Sequence, residues 1–73
     1  MIETYRQQAG MTPEALWWAY FALGGNATPN AVGGYLSGET QPGRTDHDLL
    51  AHALNERLTQ LGQDSPVPYF HHE

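Results

Sequence analysis

The sequence of 73 residues contains no cysteine and no lysine. Without cysteine, no disulfide bond can stabilise the fold, and no thiolate can serve as a zinc ligand or a nucleophile. Without lysine, the basic side chains apart from histidine are Arg6, Arg44 and Arg57, and the formal net charge is −5. Binding to duplex DNA depends chiefly on clustered Lys and Arg side chains that neutralise phosphates. The charge balance therefore weighs against nucleic-acid binding.

The sequence also lacks an apolar run long enough to cross a membrane. Its most hydrophobic run, residues 15–23, is much shorter than the roughly 20 apolar residues that a membrane-spanning helix needs. The N-terminus, MIETYR, has no basic region followed by an apolar one, so we expect no signal peptide. These features predict a cytoplasmic protein.

The chain is short for a domain without disulfide bonds. A domain of this size buries only about 60 to 65% of the surface that its unfolded chain exposes. Hydrophobic residues make up 40% of the sequence and aromatic residues 11%, which is enough for a folded core. Because small domains without cross-links often gain stability from association, we expect a homodimer or a complex with a protein partner.

Thr-Pro pairs and glycines mark the helix boundaries. Thr is a favoured N-cap, Pro fits the first helical position, and Gly commonly follows the last helical residue. Thr12-Pro13 and Thr28-Pro29 both match this start signal. The four predicted helices run from 2 to 9, from the cap at 12 to the glycines at 24–25, from 31 to 37, and from the cap at 45 to the glycine at 62.

The last predicted helix has the clearest core pattern. Thr45 is its expected N-cap, and Asp48 occupies the capping-box position three residues later. Leucines recur on one face at intervals of four, four and three residues, which is typical of a helix that packs against a core. These leucines are Leu50, Leu54, Leu58 and Leu61.

The chain divides into a helical domain, residues 1–62, and a C-terminal tail, residues 63–73. Pro66 and Pro68 bias the residues before them away from helix, so the tail is predicted to be extended. Tyr69 and Phe70 either fold back onto the core or point outward. The predicted fold class is all-α, a compact bundle of three to four short helices.

The run ALWWAYFAL, residues 15–23, makes its helix apolar around the whole circumference. Two interpretations stay open. The helix is either enclosed by the other three, or it presents a partly exposed aromatic face to a partner or to a second copy. Trp, Tyr and Phe are the usual energetic anchors of interfaces. The predicted partner-binding residues are Trp17, Trp18, Tyr20, Phe21 and Tyr35.

The glycine pairs at 24–25 and 33–34 are predicted to serve turns and close packing. A dinucleotide-binding fingerprint would need a preceding strand, and no strand pattern precedes them. Each of Gly33 and Gly34 costs roughly 1 kcal/mol relative to Ala in a helix interior. Their small size would let a tryptophan ring lie flat against the backbone.

Residues that could carry catalysis or bind a metal are few and badly spaced. His47 and His52 are five residues apart on one helix, whereas a helical metal pair needs a spacing of three or four. Asp46 and Asp48 lie in the first turn of a helix, where the macrodipole explains them. The histidines at 71–72 lie close to the chain end. We expect no enzymatic activity, no cofactor and no metal site.

Three segments resemble the lambda-repressor type of helix-turn-helix domain. The first, GMTPEAL at residues 10–16, matches the start of the first motif helix. The second, AVGGYLSG followed by ETQP at residues 31–42, matches a second helix that ends in Gly before the next helix. The third, LLAHAL at residues 49–54, is similar to that family's leucine-rich fourth helix. The resemblance covers roughly residues 2–61 and implies a helical architecture.

The resemblance also implies DNA binding through the second and third helices. The implied phosphate or base contacts are Thr28, Asn30, Ser37 and Arg44. Residues 12–38 are nevertheless several residues longer than the compact motif, and glycines occupy positions where base-contacting side chains project. We therefore expect a small acidic regulatory or adaptor protein that binds protein through its aromatic helix, with a helix-turn-helix transcription regulator as the alternative.

Overall fold

Four α-helices form the protein in the computed structural model, which describes residues 2–63 and 67–68. The helices are α1 (Ile2–Ala9), α2 (Pro13–Ala22), α3 (Pro29–Ser37) and α4 (Arg44–Gln60). Over the described residues there is no β-strand, so the predicted all-α class is confirmed. None of the described helices is both long enough and apolar enough to span a membrane.

The predicted caps of α2 and α3 are confirmed. The hydroxyl oxygen of Thr12 accepts a hydrogen bond from the backbone N–H of Ala15 at 3.0 Å. Thr28 does the same for the N–H of Ala31 at 3.1 Å. Gly38 ends α3 with a φ of 87°, a left-handed conformation that favours glycine. α3 begins at Pro29, two residues before its predicted start, because Pro occupies the first helical position directly after the cap.

The predicted start of α4 is wrong. Gly43 is the N-cap, in an extended conformation, and its carbonyl accepts the first helical hydrogen bond from the N–H of His47 at 2.9 Å. Thr45 therefore already lies within the first turn, so it is not the cap and forms no capping box with Asp48. No side chain caps this helix.

The core is centred on α4, which packs against α1 and α2, while α3 packs against α1 and α2 as well. Three of the four predicted leucines, Leu50, Leu54 and Leu58, are fully buried. Leu61 is instead 47% exposed, because α4 ends at Gln60 and the chain turns at this point. The apolar residues buried with them are Ile2, Ala9, Leu16, Tyr20, Val32, Ala51, Ala53 and Val67.

Candidate functional site

The aromatic residues of α2 are divided between the core and the surface. Leu16 and Tyr20, one turn apart, face the core and are both 0% exposed. Trp18 and Phe21 point the other way, with 60% and 50% of their surfaces exposed. Trp17 lies between the two faces and is partly buried. The run is therefore neither wholly core nor wholly exposed.

The exposed side of α2 presents three aromatic rings in mutual contact, which we call the aromatic surface: Trp17, Trp18 and Phe21. The rings of Trp17 and Phe21 stack with their centroids 5.1 Å apart and their planes 18° apart. Trp18 meets both edge-on, at 4.8 Å from Trp17 and 6.1 Å from Phe21. Both arrangements are favourable for aromatic pairs. Rings that already hold one another lose little rotamer freedom when a partner binds.

The loop after α2 orients the aromatic surface through hydrogen bonds. The indole N–H of Trp17 donates to the carbonyl oxygen of Ala27 at 2.9 Å. On the other side of the same residue, the N–H of Ala27 donates to the hydroxyl oxygen of Tyr20 at 2.7 Å. One peptide segment therefore sets the orientation of both an indole and a buried phenol.

Gly25 allows this loop to pass close to the core. A Cβ atom at this position would lie 2.2 Å from Cζ of the Tyr20 ring, which is closer than non-bonded carbon atoms can approach. Gly24 before it has a φ of 102°. The predicted turn and close-packing roles of this glycine pair are therefore confirmed.

A single carboxylate joins the three helices around the loop. The Tyr20 hydroxyl donates to Oδ1 of Asp46 at 2.7 Å, and the Tyr35 hydroxyl donates to Oδ2 at 2.9 Å. These bonds connect α2 and α3 to the first turn of α4. The sequence interpretation assigned Asp46 to the helix dipole alone and missed this role, since nothing in separations of 26 and 11 residues indicates a contact.

One of the predicted partner-binding residues, Tyr20, is excluded by its burial, and a second, Tyr35, also takes part in a structural hydrogen bond. Tyr20 has no exposed surface, because its ring fills the space between α2, α4 and Gly25, so it cannot contact a partner. Tyr35 is partly buried, and its hydroxyl is already bonded to Asp46. The aromatic surface therefore consists of the three remaining residues of α2.

We expect the domain to lose stability at alkaline pH. Burial raises the pKa of Tyr20 above its ordinary value of 10.0, and the hydrogen bond to Asp46 raises the pKa of Tyr35. A phenol with a higher pKa in the folded state contributes stability that is complete below the unfolded pKa and is lost as pH rises through the folded pKa. The free energy of unfolding should therefore fall above about pH 10, as measured by urea unfolding over a pH series. Phenols that titrate in the native protein at the ordinary value would contradict this.

The residues implied as DNA contacts lie on α3 and at the start of α4, and two of them are separated by the length of α3. Thr28 and Asn30 lie at the start of α3, where Thr28 serves as the cap and Asn30 is exposed. Ser37 lies at the opposite end of α3, about 13 Å along the helix axis from Thr28 at 1.5 Å per residue. Its hydroxyl donates to the carbonyl oxygen of Gly34. Arg44 is exposed at the first position of α4.

The glycine pair of α3 does not hold a tryptophan ring. A Cβ atom at Gly33 would meet nothing within 4 Å, because this position faces open space. A Cβ atom at Gly34 would lie 3.0 Å from the hydroxyl oxygen of Thr40 in the following loop. The prediction that these glycines accommodate an indole is therefore wrong, since no tryptophan atom lies within 4 Å of a Cβ at either position.

The described part of the tail is held on α4. Asn55 is buried and bonds Val67 twice: its amide donates to the Val67 carbonyl at 3.0 Å and accepts from the Val67 N–H at 2.9 Å. His47 Nε2 lies 3.0 Å from the carbonyl oxygen of Pro68. Val67 fills the core beside these bonds. The interpretation of Tyr69 and Phe70 concerns positions outside the described residues.

No group of three potential metal ligands is present among the described residues. His52 lies 3.5 Å from the Glu56 carboxylate on the exposed side of α4. The histidine pair at 71–72 lies outside the described residues.

Comparisons with protein-family models, curated proteins and solved structures find no match to this chain.

Proposed function

We propose that this domain is a small acidic, cytoplasmic regulatory or adaptor protein that binds a protein partner, or a second copy of itself, through the aromatic surface. The exposure of Trp18 and Phe21 carries the proposal. Their side chains project away from the core, and the described part of the chain leaves half or more of each exposed. Trp is also among the residues that contribute most often to binding energy at interfaces.

The available area sets the scale of the binding energy. Large aromatic side chains each cover about 150 to 250 Å², so the exposed parts of Trp18 and Phe21 together present roughly 250 Å². Covering that area would contribute up to about 6 kcal/mol before the entropic costs of association are subtracted. This is enough for an interface anchor.

Replacing Trp18 with Ala should abolish partner binding and leave the fold largely intact. The Trp18 side chain is mostly in solvent, so we expect the free energy of unfolding to change by less than about 1 kcal/mol. The measurement is thermal unfolding beside affinity capture from the native cell with mass spectrometry. Leu61→Ala is the matched control, because Leu61 is a similarly exposed apolar residue at the end of α4.

Trp17→Ala should behave differently from Trp18→Ala. Its indole holds the Ala27 carbonyl, so the substitution should lower stability as well as binding. A Trp18→Ala protein that retains its partner, or a Leu61→Ala protein that loses it, would contradict the assignment of the surface.

The alternative function is DNA binding as a helix-turn-helix regulator. The exposure of Asn30 in the first turn of α3 favours it, because recognition helices contact bases with their N-terminal residues. The net charge of −5 disfavours contact with phosphates, so DNA binding ranks below protein binding.

We expect duplex DNA to bind more weakly than about 10 µM at physiological salt, because few phosphates can be neutralised. A gel shift that shows submicromolar, sequence-selective affinity would overturn this order. In that case Asn30→Ala should reduce specificity more than Arg44→Ala does, since an amide can read adenine while an isolated arginine contacts phosphate.

A further inference from the structure

The only charged side chain of α2, the helix that carries the aromatic surface, is a carboxylate. Glu14 is exposed one turn before Trp18, and a spacing of four residues places both on the same face of α2. At the other end, Phe21 lies in the last turn of the helix, which contains no basic residue. The negative end of the helix dipole is therefore not compensated by a cation within that turn. A carboxylate and a helix C-terminus thus flank the exposed rings.

Two of the three arginines in the chain are engaged near α1. Arg6 bonds the Glu3 carboxylate and donates to the carbonyl oxygen of Met11 at 2.6 Å. Arg57 donates to the carbonyl oxygen of Ala9 at 3.4 Å. A second copy of the chain would also add another net charge of −5 to the complex. Electrostatic complementarity therefore disfavours a second copy and favours a partner that brings positive charge.

The exposed apolar area is sufficient to anchor a short segment of a partner. The exposed rings of Trp18 and Phe21 present roughly 250 Å². That area suits one or two side chains of an extended or helical peptide.

The ring geometry defines where a cation can lie. The planes of Trp18 and Phe21 are 89° apart and their centroids are 6.1 Å apart, an edge-to-face arrangement. A guanidinium or ammonium group can lie on the exposed face of either ring, within about 6 Å of its centroid.

We propose that the aromatic surface binds a cationic segment of a partner protein, whose Arg or Lys side chain lies over the Trp18 or Phe21 ring and near the Glu14 carboxylate. This inference rests on the proposed function and specifies the chemistry of the partner. The aliphatic part of the same side chain covers apolar ring surface while its charge faces the acidic domain.

The test is a selection of short random peptides displayed on phage against the full chain, with counter-selection on Trp18→Ala. The variant has the same net charge, so peptides held only by general attraction to an acidic protein are removed. We expect the remaining peptides to be enriched in Arg or Lys beside apolar residues.

A synthetic peptide from the selected set then serves as the titration probe. Trp18→Ala should weaken its binding about tenfold or more, as for an interface anchor. Glu14→Gln should weaken it about two- to fivefold, the range for an exposed ion pair. Glu39→Gln is the control, since Glu39 is an exposed carboxylate in the loop after α3, and it should change the affinity little.

The remaining outcomes separate this inference from the proposed function. Selected peptides that are neutral or acidic would overturn the cationic partner but retain the aromatic surface as a binding site. Self-association in sedimentation that disappears in Trp18→Ala would identify a second copy as the occupant and overturn the inference in the same way. If wild type and Trp18→Ala select the same peptides, both the inference and the proposed function fail.

Discussion

Leu54→Ala should lower the free energy of unfolding by about 2 to 5 kcal/mol, the usual range for a buried leucine. Leu54 is 0% exposed and lies in the middle of α4, which packs against α1 and α2. The substitution removes buried apolar surface and leaves a cavity that the surrounding helices fill only in part. A domain of this size has a total stability of only about 5 kcal/mol, so a loss at the upper end of this range should unfold much of the population.

Leu61→Ala is the internal control for this prediction. The sequence pattern puts Leu54 and Leu61 on one stripe, but the structure leaves Leu61 largely outside the core. Thermal unfolding followed by circular dichroism should therefore show a large loss for Leu54→Ala and a change within about 1 kcal/mol for Leu61→Ala. Equal losses in the two variants would show that the core is not centred on α4 as described.

Local signals in the sequence predict most of the helix boundaries. Thr12, Thr28 and Gly38 each act on the helical turn next to them. Their chemistry therefore determines the helix ends with little dependence on the rest of the fold. The start of α4 was mispredicted because Gly43 caps it through its backbone conformation alone. Thr45 has a side chain that is typical of an N-cap. The start of the helix is set instead by where the backbone changes from extended to helical.

The division of the aromatic run could not be predicted from its sequence. A helix with no polar face gives no periodic signal, so Trp18 and Tyr20 are equivalent candidates for burial. Their separation depends on tertiary partners: the Tyr20 hydroxyl reaches the Asp46 carboxylate, and its ring fits against Gly25. Trp18 has no such position inside the bundle. The exposed rings therefore belong to the residues of α2 that find no packing position or hydrogen-bond partner in the core.

The role of Asn55, near the other end of the chain, could not be predicted from the sequence either. Its amide replaces the missing backbone partners of Val67, which lets a non-helical segment lie against the core. Asn55 directly follows Leu54 in the leucine pattern, but the sequence alone does not show that its amide is buried and needs partners. The identity of the partner, twelve residues further on, follows only from the folded arrangement.

Asp46→Ala should lower the free energy of unfolding by about 2 to 4 kcal/mol. Hydrogen bonds to a charged acceptor contribute about 1.5 to 3 kcal/mol each, and this carboxylate accepts one from Tyr20 and one from Tyr35. After the substitution, the Tyr20 hydroxyl keeps the N–H of Ala27 as a donor but has no acceptor for its own proton. Tyr35 is only partly buried, so water compensates part of its loss.

The Asp46 prediction also concerns the aromatic surface, because Tyr20 connects Asp46 to the loop that holds Trp17. Asp46→Asn keeps an acceptor of the same shape and should cost less than Asp46→Ala. A double-mutant cycle between Asp46→Asn and Tyr35→Phe, measured by urea unfolding, should show a coupling of about 1 kcal/mol. Glu39→Ala, which removes an exposed carboxylate, is the control and should stay within about 0.5 kcal/mol of wild type. If Asp46→Ala is as stable as this control, the two tyrosine hydroxyls are satisfied by water, and the carboxylate does not fix α2 against α3 and α4.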